Sequence, residues 1–261
     1  MATLKDCIYG QAVGDALGVP FEFKRRGTFE CKGMNGFGTH FQPAGTWSDD
    51  TSMALAICDS YKHAGEVDIA DIRNRFMDWF RSGAYTCNGL FDIGTATTTA
   101  LNNGHGLTDE FTNGNGSLMR TIPLAFTNAT DIEIEEVSAI THAHKTSRKC
   151  CVRMVHIARR LISSNRPQKV LDGIDFDYSK QECDIKSGGF VLDTFEASLW
   201  CLANTSSYSE CVLKAVNLGD DTDTTGAVAG ALAGIVYGFD EIPKSWFRTL
   251  RGKEIIDDCL F

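Results

Sequence analysis

Apolar residues recur at helical spacing along almost the whole of this chain, and that periodicity confines it to an all-α fold. Leu4, Ile8 and Ala12 fall on one face of a first segment. Asp68 is placed to cap a helix that carries Ile69, Ile72, Phe76, Trp79 and Phe80 and stops near Gly83. Asp131 can cap another that carries Ile134, Val137 and Ile140. Cys151, Val152, Val155, Ala158 and Ile162 make a further stripe, as do Phe190, Val191, Phe195, Leu199 and Leu202. Ser207 and Glu210 form a capping-box pattern before Val212, Leu213 and Val216. Pro243 precedes a last short amphipathic piece. Strand-like alternation does not persist beyond a few residues. The expectation is a compact orthogonal array of roughly ten or more helices around a central cleft. Residues 1–261 read as one domain, near the upper size for a single core. Loops are expected at the Gly-rich residues 33–45 and the polar residues 172–189.

The formal net charge of −9 argues against a nucleic-acid surface, which needs a basic patch. The basic residues between Lys145 and Arg160 alternate with apolar ones at helical spacing, as on a helix with one solvated face. The ten cysteines contain no CxxC pair, so neither a zinc site nor a redox motif is indicated. Residues 1–18 lack the apolar core of a signal peptide. Free thiols in a cytoplasmic monomer are the expected state. The longest apolar run, residues 227–238, is about half of the roughly 20 residues that span a bilayer, so no membrane partner is expected.

Two acidic clusters stand out: Trp47-Ser48-Asp49-Asp50-Thr51 and Gly219-Asp220-Asp221-Thr222-Asp223-Thr224. Neither contains Lys or Arg, and each leads into a helical run. One Asp at a helix start is ordinary capping. Three Asp within four residues exceed it, and their repulsion calls for a counter-cation. Carboxylate and hydroxyl oxygens suit Mg²⁺ or Mn²⁺.

Other segments are less specific. In Gly14-Asp15-Ala16-Leu17-Gly18, the small residues permit close helix packing, and Asp15 reads as an internal hydrogen-bond acceptor or cap. Glu22 follows the Gly18–Pro20 stop and flanks an apolar patch, a setting for a raised pKa and proton transfer as well as for an ordinary surface carboxylate. Residues 113–120 make a Gly/Asn turn into a helix, suited to phosphate but equally an ordinary loop; it is not a Walker loop. His142 and His144, two apart, point to different helix faces and do not suggest a metal pair. Asp92, before the Thr-rich stretch to Thr99, reads as an N-cap.

Taken in order, these segments resemble the ADP-ribosylglycohydrolase family, which includes the dinitrogenase reductase-activating glycohydrolases and the ADP-ribosylarginine and ADP-ribosylserine hydrolases. The matching residues are Gly14-Asp15-Ala16-Leu17-Gly18 with Glu22, Trp47-Ser48-Asp49-Asp50-Thr51, Phe91-Asp92-Ile93-Gly94, Asn115-Gly116-Ser117-Leu118-Met119-Arg120, Thr141-His142 and residues 219–224. The resemblance implies an all-α fold holding two Mg²⁺ or Mn²⁺ ions. Their ligands would be Ser48, Asp49 and Asp50 from one side and Asp221, Asp223 and Thr224 from the other. It implies that Glu22 and Asp92 are catalytic, with Asp92 facing an arginine-linked leaving group. It also implies that Asn115, Gly116, Ser117, Met119 and His142 bind ADP-ribose carried by a modified protein.

The expected activity is thus metal-dependent hydrolysis of the ribosyl–nitrogen bond of ADP-ribosyl-arginine. The near alternative is serine-linked or other O-linked ADP-ribose. A different class is a non-enzymatic, crystallin-like relative. All six ligand positions hold oxygen-bearing side chains, which favours the enzyme.

Overall fold

Gly10, Gly14 and Gly18 recur once per turn on one helix, and Gly226, Gly230 and Gly234 do so on another. In the computed structural model, which describes residues 1–164 and 167–261, these two stripes lie against each other. A β-carbon added at Gly10 would overlap the carbonyl oxygen of Gly230, and one at Gly14 that of Gly226. A β-carbon at Gly234 would overlap that of Asp6. The helices are therefore antiparallel, with backbones in contact, and only glycine permits that approach.

Among the described residues there are thirteen α-helices and no strand. The helices are α1 Leu4–Gly18, α2 Asp49–Ala64, α3 Ile69–Ser82, α4 Thr95–Asn103, α5 Leu118–Thr121, α6 Asp131–Ala139 and α7 Lys145–Ser163. They continue with α8 Pro167–Asp172, α9 Val191–Ala203, α10 Tyr208–Asn217, α11 Thr222–Tyr237, α12 Lys244–Thr249 and α13 Lys253–Cys259. The pair α1–α11 is central and buried nearly all round. Helices α9 and α10 pack on α11; α2 joins α1 to α3, α5 and α13. The Tyr208 hydroxyl, fully buried, donates to the Gly10 carbonyl at 2.7 Å. No helix among the described residues is long and apolar enough to cross a membrane.

Helix α3 starts and stops as its sequence predicts: the Asp68 carboxylate accepts from Ala70 and Asp71 N–H, and Gly83 ends the helix at φ 73°. Elsewhere the boundaries shift. Thr130, not Asp131, caps α6, in a full capping box with Glu133. Ser207 caps α10, but the Glu210 carboxylate turns to Ser206, so only half of that box forms. The α7 stripe is rotated slightly: Cys150, Met154 and Leu161 are buried, whereas Val152 and Ile162 are only partly so. Two short helices, α8 and α13, add to the expected set, and all ten cysteines are free thiols. Residues 33–45 and 173–189 are irregular apart from one 3₁₀ turn in each, as expected of loops.

Candidate active site

The antiparallel α1–α11 pair brings the second acidic cluster to the end of α1. A β-carbon at Gly18 would overlap the Asp223 backbone, and the Thr222 hydroxyl donates to the Gly18 carbonyl at 2.8 Å. One turn back on α1, the Asp15 carboxylate accepts from Ser48 N–H at 2.9 Å, Thr51 N–H at 3.1 Å and the Thr51 hydroxyl at 2.6 Å. Asp15 is thus the internal acceptor that its sequence context suggests, and it fixes the start of α2 beside α11. Residues about 170 apart in sequence meet: carboxylate oxygens of Asp15, Asp50 and Asp223 lie within 4.8 Å of one another.

The carboxylates are buried more deeply than capping requires. Asp50 is 1% exposed and Asp223 0%. Ser48 caps α2, accepting from Asp50 N–H at 3.3 Å and donating to Asp50 Oδ2 at 3.2 Å. Asp221 stands at the α11 N-cap but does not cap it; its Oδ2 accepts from the Asn115 amide at 2.7 Å. Among the described residues, Asp50 Oδ1, Asp221 Oδ1 and Asp223 Oδ2 have no hydrogen-bond partner. Burial, reinforced by neighbouring carboxylates, pushes Asp49, Asp50 and Asp223 well above the usual carboxylate range. Burial raises Asp221 as well. Three orphaned, buried carboxylate oxygens drawn from both clusters could hold a hard cation, and the residues fit a divalent one.

Glu22 adjoins this cluster. Phe23 N–H donates to the Asp220 carbonyl at 2.7 Å and Asp220 N–H to the Lys24 carbonyl at 2.8 Å, which pins the Glu22 segment to the second cluster. The Glu22 carboxylate is hydrogen-bonded to His40 Nε2, and the same nitrogen lies 3.9 Å from Asp92. Burial, with repulsion from Asp92 and Asp221, lifts Glu22 to about 7 against the opposing pull of His40. The hydrogen bond to Glu22 raises the His40 pKa, overcoming the opposite effect of burial. Asp92 is not an N-cap: Gly94 holds that position on α4, and Asp92 adopts a left-handed φ of 54°.

These groups open onto a cavity of about 520 Å³. Its walls include Glu22, Asp49, Asp92, Asn115, Gly116, Met119, His142, Asp221 and Thr224, nine of the positions singled out by sequence. No Lys or Arg is among the described lining residues. Ser48, Asp50 and Asp223 sit behind the wall. So does the Ser117 hydroxyl, which is buried against Ser138 at 3.0 Å and Cys151 at 3.4 Å. The Gly/Asn turn is a 3₁₀ turn running into the four-residue α5, and Asn115 N–H is already taken by the Gly189 carbonyl at 3.0 Å. His142 lies beyond α6 in a loop paired with Leu107, and His144 caps α7 instead of sharing a helix with it.

A profile of the ADP-ribosylglycohydrolase family matches residues 2–260. The chain belongs to the ADP-ribosylglycohydrolase family. It is 32% identical, over 97% of its length and 76% of the relative's, to a protein of Serratia proteamaculans named ADP-ribosylarginine hydrolase Tri1. It is 33% identical to the ADP-ribosyl-[dinitrogen reductase] glycohydrolase of Rhodospirillum rubrum, over 92% of this chain and 87% of that one. A solved structure titled ADP-ribosylglycohydrolase-related protein complex superposes with a TM-score of 0.82 at 31% identity, covering 98% of this chain and 95% of that one. The chain is accordingly a hydrolase of this glycohydrolase family.

Among the residues at the glycohydrolase site that the sequence does not mark are His40 and Phe111. His40 is one histidine in a Gly-rich loop, with no local pattern to mark it. Phe111, fully exposed at the cavity edge, carries only the weak signal of an apolar residue in a polar stretch.

Proposed function

We propose that this glycohydrolase removes ADP-ribose from arginine side chains of modified proteins, using two divalent cations, Mg²⁺ or Mn²⁺. The observation that carries the reading is the set of orphaned oxygens on Asp50, Asp221 and Asp223 beside a cavity lined by Glu22 and Asp92, whose carboxylates lie within 4.8 Å of that of Asp223. The names of the Serratia and Pseudomonas putida relatives, both ADP-ribosylarginine hydrolases, favour the arginine linkage.

Ser48, Asp49, Asp50, Asp221, Asp223 and Thr224 would hold the cations. When bound, these supply Lewis acidity and positive charge toward an anionic ligand in a cavity with no Lys or Arg among its described lining residues. Glu22, with a pKa near neutrality, accepts a proton from the attacking water. The water oxygen bonds to the anomeric carbon of the ribose. The carbon–nitrogen bond breaks with its electron pair on nitrogen, and the proton held by Glu22 passes to that nitrogen. Free ADP-ribose and an arginine guanidinium result. Asp92 pairs with the guanidinium, a charge-assisted contact. His40 holds the Glu22 carboxylate in place. Asn115, Gly116, Met119 and His142 bind the ADP-ribose along the cavity wall.

Peptides carrying ADP-ribosyl-arginine or ADP-ribosyl-serine, incubated with the protein and Mg²⁺, test the reading. Free ADP-ribose should appear from the arginine peptide. Release from the serine peptide alone would move the linkage to oxygen, and phosphate release in place of ADP-ribose would contradict a glycohydrolase.

A further inference from the structure

Arg120 is fully buried, at 0% exposed, and among the described residues it makes no ion pair with a carboxylate. Its guanidinium lies over the Phe76 ring at 4.5 Å and donates to the Gly116 carbonyl at 3.1 Å, the Val137 carbonyl at 3.2 Å and the Thr141 hydroxyl at 2.8 Å. Thr141, also 0% exposed, is hydrogen-bonded to His142 Nδ1 at 2.7 Å. The chain Arg120–Thr141–His142 ends at the cavity wall.

The direction of each bond follows from counting hydrogens. A guanidinium only donates, so Thr141 Oγ1 accepts from Arg120. If His142 Nδ1 also carried a hydrogen, the Thr141 oxygen would accept twice, and its own hydrogen would be buried without an acceptor, at a cost of about 1–3 kcal/mol. The hydroxyl therefore donates to Nδ1. The ring proton then sits on Nε2. Burial, with the Arg120 charge behind it, lowers the His142 pKa to about 3, which keeps the ring neutral.

Among the described residues, His142 Nε2 has no hydrogen-bond partner. It faces Gly114 and Gly116, whose missing side chains leave the space before it open: a β-carbon would come within 3.4 Å and 3.3 Å of it. We propose that Arg120 and Thr141 are positioning residues that fix His142 as a neutral Nε2–H donor aimed at an oxygen of bound ADP-ribose. The ligand identity rests on the function proposed above; the tautomer does not. In a wall rich in carboxylates, a permanently neutral donor binds an oxygen acceptor without adding a charge that those carboxylates would capture.

A long-range ¹H–¹⁵N spectrum of the full-length protein labelled at histidine tests this, with His142→Asn identifying the signal. The expected result is a pyrrole-type, protonated Nε2 and a pyridine-type Nδ1 in the wild type. Thr141→Val should mix the tautomers and weaken ADP-ribose binding about tenfold, the loss of one hydrogen bond; Thr141→Ser should restore both. A protonated Nδ1 in the wild type would overturn the proposal even if Thr141→Val failed to fold. So would a Thr141→Val protein with wild-type spectrum and affinity. The expected spectrum in a wild type that does not bind ADP-ribose would overturn the ligand assignment and leave the tautomer standing.

Discussion

The Asp15 carboxylate receives the Thr51 hydroxyl at 2.6 Å, deep in the core, and through this contact α1 holds the first turn of α2 against α11. Removing it strands three donors. Asp15→Ala should destabilise the fold by about 2–4 kcal/mol, as for a broken buried network, with Asp15→Asn losing less because one acceptor survives. Urea denaturation measures this. An Asp15→Ala midpoint equal to wild type would show that the contact does not organise the site.

The cluster gives an inverted pH response. Burial pushes Asp15 and Glu22 up to about 7, whereas in the unfolded chain they titrate near about 4. The folded state thus binds their protons more tightly. Their contribution to stability is whole below about pH 4 and is lost as the pH rises through about 7. A cation bound beside these carboxyls favours their ionised forms, so the rise in Tm on adding saturating Mg²⁺ should be larger at about pH 7.5 than at about pH 5. Thermal melts with Mg²⁺ and with chelator measure it; an equal shift at both pH values would contradict it.

Backbone contact between α1 and α11 makes a sharp demand on residue size. Gly14→Ala sets a methyl group inside the Gly226 carbonyl oxygen, and forcing the helices apart should cost about 3 kcal/mol or lead to no soluble protein. Gly94→Ala, whose added carbon would meet only the Thr97 hydroxyl at 3.9 Å, should stay within about 0.5 kcal/mol of wild type. Denaturation midpoints compare the two, and equal effects would refute the packing argument.

Asp92 should discriminate between linkages. Asp92→Ala should lower kcat/KM on ADP-ribosyl-arginine about 100-fold, the loss of a charge-assisted contact worth about 3 kcal/mol. ADP-ribosyl-serine, with no guanidinium, should lose far less. Matched losses on both substrates would deny the residue its part in binding the leaving group.

Much of the fold was readable because it is written locally. Asp68 and Gly83 delimit α3 from within a short window, and both acidic clusters do stand at helix starts. The small residues of α1 announce a close partner, but period alone does not say that Gly226 and Gly230 supply it. What escaped sequence reading is set by long-range packing. His40 acquires meaning only when the 33–45 loop folds onto Glu22. Asp92 has the composition of a cap, yet its left-handed φ turns it out of that position. The Ser117 hydroxyl faces α6 and α7 because the turn at 115–117 is 3₁₀, a twist that the Gly/Asn pattern does not encode. The hydrogen bond from Arg120 to Thr141 likewise joins residues 21 apart in sequence.

The central claim is that the two acidic clusters act as one cation centre for breaking the ribosyl–nitrogen bond. Its most direct test is ADP-ribose release from ADP-ribosyl-arginine, with Mg²⁺, by wild type, Asp49→Ala and Asp221→Ala, each checked for folding. Each variant removes a carboxylate from one of the two clusters. The account expects rapid release by wild type, stopped by chelator, and at least about a 100-fold loss in either variant, the scale of one lost transition-state contact. Full activity in both variants would contradict it.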